Sequence, residues 1–146
     1  MRLTIACVVE GHGEVHALPV LLRRIAGEIQ PEIELDVPHP LRFPRSKLIS
    51  PGGLEKAIGL AALKCTAGGG VVVVLDSDDD CPAVLAPTLV GRIRGTRPDL
   101  PFALVLAQRE FEAWFLAGAE SLRGHRGSAG IRRSIRFASG AERHLV

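Results

Sequence analysis

Five branched apolar residues in a row, Val71-Val72-Val73-Val74-Leu75, follow three glycines and run directly into Asp76-Ser77-Asp78-Asp79-Asp80. A strand with no polar position has no face to give to water, so both of its faces must be covered by other elements. This segment therefore reads as the central strand of an α/β sheet, with an acidic cluster at its carboxyl end. Ligands of open α/β sheets bind in the crevice beyond the carboxyl ends of the strands. The feature that fixes the fold class thus also says where to look for chemistry.

The rest of the chain alternates strand and helix patterns. Leu3–Val9 is a continuous apolar run ending at Glu10-Gly11 and reads as a buried strand. Leu18, Leu21, Leu22, Ile25 and Ile29 recur at helical spacing within Glu14–Ile29. Pro19 is tolerated only in a first turn or beside a kink, which puts the helix start near Leu18. Ile33–Val37 alternates as a strand, and a Pro-rich basic loop follows with Arg42, Arg45 and Lys47. Leu54–Cys65 and Val84–Ile93 read as helices, Phe102–Leu106 as a strand, and Glu110–Ala119 as a short aromatic helix. The expected architecture is an open, mostly parallel four-stranded α/β sheet with helices on both faces.

Composition excludes several classes. The chain has 146 residues, enough for one domain with a real core. Lys+Arg is 18 against Asp+Glu 16, too even a balance for binding nucleic acid by bulk charge. No apolar run approaches the ~20 residues of a membrane span, and the N-terminus runs into a strand pattern without a signal-peptide cleavage site. Cys7, Cys65 and Cys81 are odd in number and form no Cys-x-x-Cys pair, which argues against disulfides or structural zinc and for a reducing cytoplasm. From Leu116 onward there are six basic and two acidic residues, so the slight basicity belongs to the tail.

Carboxylates fall at the ends of three strands: Glu10 after the first, Asp76 and Asp78 (with Asp80) after the third, Glu110 and Glu112 after the fourth. Crowded carboxylates need protonation, solvent or a cation. Hard oxygen donors without His or Cys favour Mg²⁺ or Mn²⁺, and a solvated acidic turn is the alternative. In extended backbone, Asp76, Asp78 and Asp80 would point one way and Asp79 the other. Gly11 and Gly13 form a glycine turn before a helix, which can hold a phosphate on backbone N–H groups or can simply be a tight turn. It has neither a P-loop ending nor a third fingerprint glycine. His12 and His16 lack a third ligand for zinc.

Val8-Val9-Glu10-Gly11-His12-Gly13-Glu14 resembles the first motif of Toprim domains, and Val73-Val74-Leu75-Asp76-Ser77-Asp78 their Asp-x-Asp motif. Together with Asp76–Pro82 and Arg109–Leu116, these phrases resemble a prokaryotic Toprim-like family of unknown function, distantly similar to the Toprim domains of OLD-type nucleases that partner ATPases. The likeness spans roughly residues 3–127. It implies a Toprim-like domain over 1–127, with Glu10 as the acid/base or metal-organising carboxylate and Asp76 and Asp78 holding Mg²⁺. Asp80 is a further candidate metal ligand. Gly11, Arg42, Arg45 and Lys47 are candidate substrate contacts, and Glu14, Glu110 and Glu112 candidate accessory groups. Relatives continue past Gly127 with an acidic, Pro-rich stretch and a final helix. Here residues 128–146 form a basic, patternless tail, as a shifted reading frame near Gly127 would produce.

Three functions compete. The first is a Mg²⁺- or Mn²⁺-dependent phosphodiester-cleaving enzyme acting on nucleic acid. The second is a non-catalytic scaffold binding an ATPase partner or nucleic acid, for which Phe111, Trp114 and Phe115 would have to be exposed. The third is a small-molecule phosphatase with Asp76 as nucleophile, whose pattern expects Thr or Val where Asp80 stands. Tyr is 0, so a self-sufficient topoisomerase, which needs a tyrosine nucleophile, is excluded.

Overall fold

The structure, a computed structural model, describes residues 1–66 and 68–108. The expected helix over Glu110–Ala119 and the tail 128–146 lie outside the described residues. Strands β1 (Arg2–Val9), β2 (Glu34–Asp36), β3 (Leu41–Arg42), β4 (Gly70–Asp76) and β5 (Phe102–Ala107) form a sheet in the order β2-β1-β4-β5, with β3 also paired to β1. Every pairing is parallel. The expected four strands are therefore present, and a fifth, β3, is added to them. β2 pairs with the start of β1 and β3 with its end, Val8 and Val9. Pro38 and Pro40 lie between them and have no N–H to give a ladder, so one edge is split into two short pieces.

The central position of Val71–Leu75 follows directly from its composition. Val71, Val73 and Leu75 pack on one face of the sheet with Ala6 and Val8, while Val72 and Val74 pack on the other with Cys7 and Val9. This alternation is the period of a strand with both faces covered. Each buried Val or Leu there contributes roughly 1.5–3 kcal/mol relative to exposure. Cys7 is one of these core residues; burial pushes its thiol up to about 12, which keeps it protonated and inert.

Helix α1 (His12–Ile29) covers the second face through Leu18, with Val15 and Leu22 beside it. Helices α2 (Arg45–Ile49), α3 (Gly53–Ala62) and α4 (Pro82–Thr96) cover the first through Leu48, Leu54, Ile58, Leu89 and Ile93. The chain leaves β1 toward β2 over one face, then crosses back to β4 and on to β5 over the other. That is the layout crossovers of a single hand require. It makes the gap between the carboxyl ends of β1 and β4 the point where the chain direction reverses, the crevice where open α/β sheets bind ligands.

Three local expectations are corrected. Helix α1 starts at His12, not near Leu18, and runs through a buried Pro19. The proline forfeits one backbone bond, and its ring is buried. The Pro-rich loop contains β3 and α2, elements too short to show a period, held by Leu41, Phe43 and the fully buried Leu48. Helix α4 begins earlier than expected, at Pro82, whose missing N–H costs nothing in a first turn.

Pro87 differs from Pro82, because it is exposed and inside α4, where its ring opposes the Ala83 carbonyl. Pro87→Ala restores a hydrogen bond without removing a core contact. The expected result is a gain of about 1–2 kcal/mol, less than the full interior-proline penalty because the backbone has already adapted. Chemical denaturation of the two proteins checks it.

Candidate active site at the carboxyl edge of the sheet

β1 ends at Val9 and β4 at Asp76, in adjacent parallel strands, so Glu10 and Asp76 arrive at the same edge. They meet directly: the Asp76 backbone N–H donates to Glu10 Oε2 at 3.3 Å. Beyond Asp76 the chain keeps one more ladder bond, from Ser77 N–H to the Ala107 carbonyl at 2.9 Å, and then turns, with Asp80 N–H donating to the Ser77 carbonyl at 2.8 Å. Asp78 lies inside that turn with φ +48°, a left-handed conformation that Asp tolerates better than most residues. The extended backbone assumed for Asp76–Asp80 therefore stops at Ser77. Asp78 and Asp80 do not follow a strand alternation but are carried on a turn.

Glu10 sits in a raised-pKa environment. Its partial burial is the largest cause, with Asp78 and Glu14 adding repulsion, while the Asp76 N–H and Arg45 pull the other way. Glu14 is buried, unlike most carboxylates, in the first turn of α1. Its carboxylate folds back over Gly11, where any Cβ would collide with it. The backbone of Gly11 is ordinary extended conformation, so a side chain there would have to displace only the end of Glu14. Gly11 is the helix N-cap and Glu14 stands three residues on, the spacing at which a glutamate reaches back to a cap. That spacing was visible in the sequence as a local signal for Glu14.

The basic candidates separate. Arg42 is exposed at the end of β3, in register with Val9, and Lys47 is exposed on α2. Arg45, the first residue of α2, has a side chain only 15% exposed. Its guanidinium donates to the Asp76 carbonyl and to Asp80, and its Nε lies 3.1 Å from Asp78 Oδ2. The structure thus brings together Glu10, Gly11, Glu14, Asp76, Asp78, Asp80 and Arg45, with Arg42 and Lys47 on the flanking β3 and α2. Glu110 and Glu112 lie outside the described residues. Sequence reasoning did not pair Arg45 with the acidic turn. The two are 31 to 35 positions apart, and no local pattern links them.

The donor set is all oxygen, the chemistry of a hard divalent cation, and a second positive charge beside Glu10 would relieve the repulsion that raises its pKa. Among the described residues, no three His, Cys, Asp or Glu side chains are grouped to hold a metal ion. Asp78 and Asp80 are engaged by Arg45 instead. Carboxylate oxygen is the donor chemistry of a hard divalent cation, and Glu10 and Asp76 are the residues at this edge that could contribute to holding one. Among the described residues no helix is long and apolar enough to cross a membrane. Compared with family models, with curated proteins and with solved structures, the chain matches none.

Proposed function

We propose that the chain is a Toprim-like, Mg²⁺- or Mn²⁺-dependent phosphodiesterase acting on nucleic acid. The observation that carries the reading is the meeting of Glu10 with Asp76 at the reversal point of the sheet, in an acidic crevice flanked by basic residues. A divalent cation held with the help of Glu10 and Asp76 would supply polarisation of a phosphate oxygen and stabilisation of developing negative charge. Glu10, the carboxylate at the end of β1, would take the proton of the attacking water. The Asp76 N–H fixes the orientation of that carboxylate. Arg42 and Lys47 hold the phosphate backbone outside the crevice.

The test is cleavage of single- and double-stranded DNA and RNA in Mg²⁺ or Mn²⁺, with Asp76→Ala as control. Cleavage that needs the metal and Asp76 is the expected result. Cleavage of a nucleoside phosphate alone would replace this reading with a phosphatase, and no cleavage with tight binding of an ATPase would replace it with a scaffold. Thermal melting gives a second readout. Mg²⁺ at about 100 times its dissociation constant stabilises the fold by roughly 2.7 kcal/mol. The melting temperature should rise with MgCl₂ beyond the rise given by NaCl of equal ionic strength, and Asp76→Asn should blunt the difference. Equal shifts in both salts for both proteins would reduce Asp76–Asp80 to a solvated turn.

A further inference from the structure

The two faces of the sheet are unequally covered. Helices α2, α3 and α4 pack on the first face, where Val71, Val73 and Leu75 are fully buried. Among the described residues α1 is the helix on the second face, and it lies over the β2 and β3 side. Toward β5 that face opens: Val72 and Val105 are half-buried and Ala103 is exposed. At the amino edge Leu3, Ile5, Val72 and Ala103 line an apolar groove of about 230 Å³. A sheet face of this composition calls for a covering element. The described chain stops at Gln108, one residue past β5, at the carboxyl edge of the same sheet. Helix α4 already takes the first face of β5, so the free place beside that strand is on the second. In the sequence that follows, Phe111, Trp114, Phe115 and Leu122 recur at i, i+3, i+4 and i+11, one stripe of a helix. Gly118 falls on the stripe, Glu110, Glu112, Glu120 and Arg123 fall off it, and Gly124 ends the pattern.

We propose that residues 110–123 are the cover of this face, running as an amphipathic helix back over β4 and β5. Phe111, Trp114 and Phe115 then pack on Val105 and Val72, and Leu122 reaches the groove at the amino edge. The lengths agree. The six residues of β5 span about 20 Å at ~3.3 Å each, a distance that a helix of about 13 residues crosses. Residues 110–123 supply 14. The occupant is the chain's own segment, not a second copy, because the stripe begins four residues after Ala107 and is tethered at the face. So short a tether gives an effective concentration that a separate molecule does not reach. The docking makes the three aromatic residues part of the core of this domain, and it withdraws the surface that a scaffold would offer a partner. It stands independently of the metal-dependent reading.

Trp114 is the one tryptophan of a chain without tyrosine, so intrinsic fluorescence reports on this segment alone. The experiment compares the full chain with Val105→Glu, which puts a charge under the segment, and with Val20→Glu, which puts one on the exposed side of α1. The wild type and Val20→Glu should emit well to the blue of the urea-unfolded chain, with acrylamide quenching several-fold weaker and no change on dilution. Val105→Glu should shift to the red and quench several-fold more. A wild-type Trp114 as accessible as in urea overturns the proposal and frees the aromatic residues for a partner. A blue shift lost on dilution overturns it in favour of a second copy, and a Val105→Glu that emits like the wild type overturns it by placing the segment elsewhere. Should Val105→Glu not fold, NMR of the wild-type chain decides. Nuclear Overhauser contacts between the Trp114 indole and the methyl groups of Val72 or Val105 are expected, and their absence overturns the docking.

Discussion

Replacing Glu10 with glutamine should lower metal-dependent phosphodiester cleavage by about 10²–10⁴-fold while raising the melting temperature of the metal-free protein. The two effects have one cause. Burial, with Asp78 and Glu14 nearby, raises the Glu10 pKa in the folded chain above its ordinary value of 4.5. A carboxyl with a raised folded pKa favours the fold below the unfolded pKa, and that contribution is lost as pH rises through the folded pKa. Once ionised, Glu10 is therefore a cost that the fold carries. Glutamine removes the charge but keeps an oxygen to accept the Asp76 N–H, so the backbone at the end of β4 keeps its partner. It cannot accept a proton from water, and it is a poorer cation ligand. Parallel melts and cleavage assays of the two proteins check the pair of effects. A glutamine variant that is less stable and fully active would give Glu10 a structural role instead.

The parts of this molecule legible in the sequence are those whose cause is local. Val71–Leu75 announces a doubly covered strand because five consecutive apolar residues leave no polar face, and the strand is central in the sheet. Glu10 and Asp76 could be assigned to one edge because each follows a strand of a parallel sheet. Short elements left no such mark. β3 has two residues and α2 five, and both exist because Leu41, Phe43 and Leu48 reach the core, not because a period specifies them. Pro19 misled in the opposite direction, since the rule that a proline ends a helix is overridden when the same turn is buried. In the site, the carboxylates were readable and their counter-ion was not. Arg45 looked like one of three interchangeable loop cations alongside Arg42 and Lys47. Only the placement of α2 against the end of β4 distinguishes it.

The same reasoning identifies the residue that ties the loop region to the rest of the fold. Arg92 on α4 holds Glu55 of α3 through two bonds, both 2.7 Å, and donates to the carbonyls of Ile49 and Ser50 at the end of α2, at 2.9 and 2.8 Å. One side chain thus closes the C-terminal end of α2 and joins three helices. Arg92→Met keeps much of the stem's packing but strands a carboxylate and two carbonyls, at an expected cost of about 2–4 kcal/mol. The figure is below that of a fully buried pair because both side chains keep some contact with water. The charge dependence has a definite sign. Hydrogen bonding from Arg92 holds the Glu55 carboxyl down at about 2, against an ordinary value of 4.5. A depressed folded pKa contributes stability that is whole above the unfolded value and drains away as pH falls toward the folded one. Wild-type stability should therefore fall between about pH 4.5 and pH 2, and Arg92→Met should flatten the fall over that window, leaving the two proteins closer in stability at pH 2 than at pH 7. Urea titrations across the pH range give both quantities. Parallel curves for the two proteins would mean that the pair is geometry without energy. Loss of α2's anchorage would reach the site as well, since Arg45 opens the helix whose other end Arg92 holds.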